Sequence, residues 1–163
     1  MNNLVLGIDP GIGTVGYAVM EKVNAVSQKL YTYGCITTPT KTPVSDRLVI
    51  LHEKLNVIIK KHKPGLLVIE RLFFNTNVTT AITVGQAMGV IMLTSARSGM
   101  RVEEVTPLQV KSTLTGYGRA EKGQVQRMVM AQLGLKKKPT PDDAADAIAV
   151  ALCYCLTNHE LKG

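Results

Sequence analysis

The sequence predicts an α/β fold: a mixed five-stranded sheet flanked by helices, with three strands in an antiparallel meander and two running parallel. Three observations predict it. Short apolar runs bounded by Gly and Pro fill the first 37 residues, and each is the length of a strand rather than a helix. From Ser45 onward, helical periodicities alternate with two more short runs, the pattern of a sheet covered by helices. The first and fourth runs each end in a carboxylate, which sets the problem of function. At 163 residues, 45% apolar and 19% charged, the chain suits a single domain over residues 1–163 with an ordinary core.

Residues 3–9 read as a buried central strand ending in Asp9. A buried unpaired charge is costly, so Asp9 needs a cation to face. On this stretch alone, an Asx-type turn through Pro10-Gly11 accounts for it slightly better. Residues 14–20 return alongside as a second strand, and 30–37 alternate as a third. Short turns between them imply the meander. Ser45 is placed to N-cap a helix whose Leu48, Leu51, Leu55, Ile58 and Ile59 share a face. Its cationic end, Lys60-Lys61-His62-Lys63, complements the helix dipole before Pro64.

Residues 65–70 repeat the opening pattern and end in Glu70. Parallel strands place ligands at their carboxyl ends, and both acids stand at such ends. Residues 71–77 read as a loop exposing an aromatic side chain. Residues 79–98 follow as an uncharged stretch up to Arg97, read as a buried central helix because its Thr, Gln86, Gly85 and Gly89 are too polar for a membrane span. Gly85 and Gly89, four apart, permit close approach of another backbone. A fifth strand, 101–106, stops at Pro107; helical residues 108–114 lead to a mobile loop at Gly116-Tyr117-Gly118, and a helix over 121–133 ends at Gly134. The last helix carries start signals in Thr140 as N-cap and Pro141 at its first position. Asp142 and Asp143 suit its first turn. Asp146, amid Ala and Ile, does not, and it needs a partner.

The net charge of +7 is concentrated. Residues 97–138 hold nine Lys/Arg against three acids, which points to a polyanion such as nucleic acid. Cys35, Cys153 and Cys155 show no zinc or disulfide spacing and suit a reducing compartment. The first strand begins at once, which leaves no room for a targeting segment and makes the expected location cytoplasmic. Asp9 and Glu70 on strand ends, with acids on one face of the last helix, form a set that repels itself unless divalent cations occupy it. Oxygen ligands select Mg²⁺ or Mn²⁺, and two such ions suit phosphodiester hydrolysis. No Ser/His/Asp or Cys/His set competes, and no Walker-type loop is present.

Gly7-Ile-Asp-Pro-Gly11, Val68-Ile-Glu-Arg-Leu-Phe-Phe74, Gln109-Val-Lys-Ser-Thr113 with Ala120-Glu-Lys122, and Asp143-Ala-Ala-Asp-Ala-Ile-Ala149 occur in the order and at the intervals of one family. Over nearly its whole length the chain resembles the RuvC-type Holliday junction resolvases. The resemblance implies a ribonuclease-H-like fold. It also implies a homodimer that cuts two strands of four-way junction DNA symmetrically, with two Mg²⁺ per active site or Mn²⁺ in their place. Residue by residue, Asp9, Glu70, Asp143 and Asp146 match the family's metal-binding acids. The resemblance selects Asp143, since spacing alone leaves Asp142 and Asp143 equal. Phe73 matches an aromatic residue that wedges against bases, and Lys111 and Lys122 match basic residues near the scissile phosphate. Arg119, in the loop between them, is a further candidate DNA contact. The motor RuvA–RuvB is a partner by family alone. The ends expected are 5′-phosphate and 3′-hydroxyl.

The runner-up is an RNA-processing nuclease of the same fold. An actin-like ATPase would need a second domain, and a binding module without catalysis gains nothing from four acids facing phosphate.

Overall fold

The computed structural model describes residues 3–72 and 78–157. Strands β1 (Leu4–Asp9), β2 (Thr14–Lys22) and β3 (Gln28–Thr37) are followed by α1 (Val44–His62), β4 (Leu66–Glu70), α2 (Val78–Arg97), β5 (Arg101–Val105), α3 (Pro107–Thr115), α4 (Lys122–Leu133) and α5 (Asp142–Thr157). The sheet order is β3-β2-β1-β4-β5. β1 pairs antiparallel with β2 and parallel with β4; β2–β3 is antiparallel and β4–β5 parallel, as the sequence predicts.

Strand parity divides the core in two. Val5, Leu66 and Val68 face α3, α4 and α5. Leu6, Ile8, Leu67 and Ile69 face α1 and α2. With β1 in the middle, Val5, Leu6 and Ile8 are fully buried. Helix α5 is apolar nearly all round because it lies between the sheet and α3/α4, and every residue from Ala147 to Cys155 is buried.

Several element starts differ from expectation. α1 is capped from Pro43, whose carbonyl accepts the Arg47 N–H, so Ser45 lies inside the first turn with its hydroxyl 3.3 Å from Asp46 Oδ1. α5 starts at Asp142, beyond Thr140 and Pro141, and the Pro141 carbonyl accepts the Ala145 N–H. Thr106 ends the fifth strand as the N-cap of α3, in a reciprocal box with Gln109. The 116–118 segment is a hydrogen-bonded turn, with Gly116 left-handed at φ 74°.

The expectation of a buried central helix over 79–98 is overturned. α2 is long and apolar enough to cross a membrane by length and composition, yet it lies on the protein surface. Ala87, Met88, Ile91, Thr94 and Ser95 pack inward, while Ile82 and Leu93 are 57% and 59% exposed. The Thr94 hydroxyl, donating to the Val90 carbonyl, meets His52 Nδ1 at 2.8 Å and so ties α2 to α1.

Candidate active site

Strand alternation places both strand-end acids on one side of the sheet. Asp9 follows Val5 and Gly7 on the face that meets α5, and Glu70 follows Leu66 and Val68 on the same face. Helix α5 presents Asp143 and Asp146 to them. Two glycines set how closely it sits. A Cβ on Gly7 would lie 2.6 Å from the Ala147 carbonyl oxygen and 2.7 Å from Ala151 Cβ. A Cβ on Gly16, the β2 partner of Asp9, would overlap the carbonyl oxygen of Asp143. The helix backbone therefore rests on the sheet backbone where the acids meet.

The electrostatics follow from that closeness. Burial first, then the charges of Asp146, Glu70 and Asp143, raise the Asp9 pKa to about 7, against the pull of Lys122. Burial and then Asp146 also raise Glu70, while Lys111 lowers it. Lys122 Nζ lies 2.8 Å from Asp146 Oδ2 and 3.5 Å from Asp142 Oδ2, and the Asp146 hydrogen bond holds its pKa up. A cleft of about 330 Å³ gathers Asp9, Glu70, Asp146, Lys111 and Lys122 over a floor that includes Val110, Val125 and Ala149.

Packing sets Asp142 and Asp143 apart. Asp142 is exposed, bonded to Lys138 at 2.9 Å and to Lys122, and these cations hold its carboxyl below the usual range. Asp143 lies against Gly16, and its charge acts on Asp9. Arg119 is exposed and does not line the cleft. Phe73 lies outside the described residues.

Residues 5–154 match the family described as Crossover junction endodeoxyribonuclease RuvC. The chain belongs to the RuvC family. A RuvC of Halothermothrix orenii is 50% identical over 151 residues, 93% of this chain and 91% of that one. One from Clostridioides difficile is 50% identical over 155 residues, 95% and 91% of the two chains. The structure of T. thermophilus RuvC in complex with Holliday junction substrate superposes with a TM-score of 0.89 at 33% identity, covering 94% of this chain and 93% of that one. The sheet and its helices are the ribonuclease-H-like fold of these RuvC structures.

RuvC nucleases are metal-dependent, and the donor set here fits a hard cation. It offers only carboxylate oxygens, and the raised Asp9 pKa, caused first by burial and then by the neighbouring acids, marks a site where added positive charge is favoured. Among the described residues no three potential ligands close around a common point, and Asp146 is turned onto Lys122. Two contributors escaped the sequence reading. Gly16 is one; its partner across β2–β3, Cys35, is the other. Burial and then the Asp143 charge push the Cys35 thiol up, against the Ala144 backbone N–H, so it lines the back of the Asp143 side. The strand register, once known, places both, but nothing in their local sequence does.

Proposed function

We propose that this RuvC-family resolvase cuts Holliday junctions by symmetric paired nicks, each made by phosphodiester hydrolysis at its own acidic centre. One observation carries the reading: Asp9, Glu70 and Asp146 share a single cleft with Lys111 and Lys122, and Asp143 borders it. Carboxylates alone would repel a phosphate. Carboxylates that hold cations, ringed by lysines, attract and orient it. Holliday junction resolution belongs to recombination and repair, and the T. thermophilus relative was captured with such a substrate.

In this reading Asp9, Glu70, Asp143 and Asp146 would hold two Mg²⁺, with Mn²⁺ able to replace them. Such ions, when bound, offset charge on the attacking and leaving oxygens of the phosphodiester. The chain's own groups do the rest. Asp146, bonded here to Lys122, would serve as one of those ligands, and the Lys122 ammonium would then be free to face the scissile phosphate. Lys111 holds the same phosphate from the α3 side of the cleft, and Arg119 contacts the backbone beyond it. Phe73 supplies the wedge at the junction centre. The products carry 5′-phosphate and 3′-hydroxyl ends.

Paired cuts call for two copies. Exposed Ile82, Gln86, Gly89, Leu93 and Ala96 recur along α2 at helical spacing, and Cβ atoms placed on Gly85 and Gly89 would have nothing within 4 Å among the described residues. That uncharged stripe is the surface we assign to the homodimer. The 163 residues act as one unit inside the cell, and the motor RuvA–RuvB enters as partner through family membership, to be checked by co-purification.

The test is cleavage of a synthetic four-way junction with Mg²⁺, with Mn²⁺ and with EDTA, beside linear duplex and structured RNA. Metal-dependent nicks placed symmetrically across the junction are the expected result. RNA cut as well as the junction would transfer the reading to an RNA-processing nuclease.

A further inference from the structure

Beside the acidic cleft lies an apolar rim that the hydrolytic reading leaves without a role. Leu108 and Tyr117 are 61% and 58% exposed. Leu108 sits in the first turn of α3, which leaves β5 at the same end of the sheet as Glu70. The α3–α4 turn folds back over it, since a Cβ on Gly118 would overlap Leu108 Cδ1. Tyr117, the neighbour of Gly118, is thus carried toward the cleft end of α3.

The turn is braced. The Tyr117 N–H donates to Thr115 Oγ1 at 3.1 Å, and the Thr115 hydroxyl stands 3.0 Å from the Tyr117 carbonyl. That carbonyl also accepts the Ala120 N–H at 3.0 Å, and Ala120 is buried. The backbone is satisfied and anchored while the ring projects to solvent. Cations lie near it in the chain: Lys111 stands one turn past Leu108 and lines the cleft, Lys122 opens α4 in the same cleft, and exposed Arg119 is two residues on. An exposed ring on an anchored turn, close in the chain to the lysines of the cleft, has the makings of a platform for a base that has left its stack.

We propose that Tyr117, backed by Leu108, stacks on an unpaired base next to the scissile phosphate and so biases which junction sequences are cut. The inference rests on the nuclease reading above and adds a sequence-selecting contact to it. The ring does this work, so the hydroxyl is dispensable and Y117F rescues what Y117A loses.

Four-way junctions with randomised core base pairs are to be cut by wild type, Y117A and Y117F, and the cut sequences read out. A second set carries 2-aminopurine beside the preferred scissile phosphate. Y117A should lose about tenfold in kcat/KM on preferred sequences, with a flattened sequence profile and no quenching of the probe. Y117F should keep the profile and the quenching, and all three proteins should melt alike. An unchanged profile and unchanged quenching in Y117A, with wild type active, overturns the stacking contact and leaves the nuclease reading intact. Equal losses in Y117F and Y117A overturn it as well, because the hydroxyl would then be the acting group. A wild type that cuts no junction overturns both.

Discussion

In the folded chain burial and the neighbouring acids raise the Asp9 pKa to about 7, whereas the same carboxyl ionises near 3.8 when nothing surrounds it. Between those values the folded state keeps a proton that the unfolded state has released. Folding stability therefore falls as pH rises from about 4 to about 7 and levels off above that range. Glu70 is displaced in the same direction and adds to the slope. Asp9→Asn should abolish cleavage, flatten the slope, and stabilise the metal-free protein by about 2 kcal/mol at pH 8. Mg²⁺ should raise the wild-type melting temperature most at pH 8 and least near pH 5, where Asp9 is protonated. Melting curves across pH, with and without metal, check all of this; a slope that Asp9→Asn leaves unchanged would place the titration elsewhere. Lys122 makes a different demand. Its 2.8 Å bond to Asp146 neutralises one acid of the cleft. Lys122→Gln should slow cleavage about 100-fold by removing a charge that faces the phosphate in the transition state. Junction affinity should fall far less, because the other basic residues still attract the backbone. Single-turnover rates set against binding isotherms separate the two, and equal losses in both would reduce Lys122 to a general phosphate contact.

The site depends on how one helix seats on two strands, and Gly16 is where that seating can be broken. A methyl group there collides with the Asp143 backbone, so Gly16→Ala must lift the first turn of α5 and carry Asp143 away from Asp9. Gly7→Ala strains the same helix a turn or more further along, against Ala147 and Ala151. Both should cost about 1–3 kcal/mol as overpacked contacts. Only Gly16→Ala should also lose the Mg²⁺-induced rise in melting temperature. If Gly16→Ala keeps the full metal response, the glycine serves packing alone. This dependence also explains what could be read from the sequence and what could not. Asp9 and Glu70 were readable because a carboxylate at the end of a short apolar strand is out of place chemically. Strand parity and the βαβ pattern then put both on one face. Asp142 and Asp143 could not be told apart, because 3.6-residue spacing lets either share a side with Asp146; the distinction lies in the Gly16 contact, which is remote in sequence. The Ser45 cap failed for a related reason. Several residues can cap one helix start, and here the backbone of Pro43 took the position. The burial of α2 was misjudged because an uncharged composition says how apolar a helix is, not whether its second face is covered by this chain or by another.

Across the whole molecule, the proposed reading ties that exposed α2 face to the acidic cleft. A four-way junction has near two-fold symmetry, and one acidic centre can cut only one strand at a time. Symmetric cutting needs a second centre held at a fixed distance, and a dimer axis supplies it. Ile82 and Leu93 are eleven residues apart, which returns them to the same side of the helix about 16 Å apart along its axis. Between them Gln86 and Gly89 keep the stripe free of charge, and Gly89 leaves room for a second backbone to approach. Leu93→Glu places a carboxylate in that contact on both copies at once, where the two charges face each other or are stranded in an apolar surface. The variant should sediment as a monomer at micromolar concentration, while Val26→Glu, a change at a 78% exposed residue in the β2–β3 turn, should sediment as wild type. Because α2 meets the core through its opposite side, Leu93→Glu should keep the wild-type fold and the Mg²⁺-induced stabilisation of the acidic centre. What it should lose is coupling: on a cruciform plasmid, wild type should cut both strands within one encounter and yield linear product, whereas Leu93→Glu should yield nicked circles or none. A monomeric Leu93→Glu that still linearises the cruciform would show that paired cutting does not require the α2 face, and a dimeric one would place the interface elsewhere on the surface.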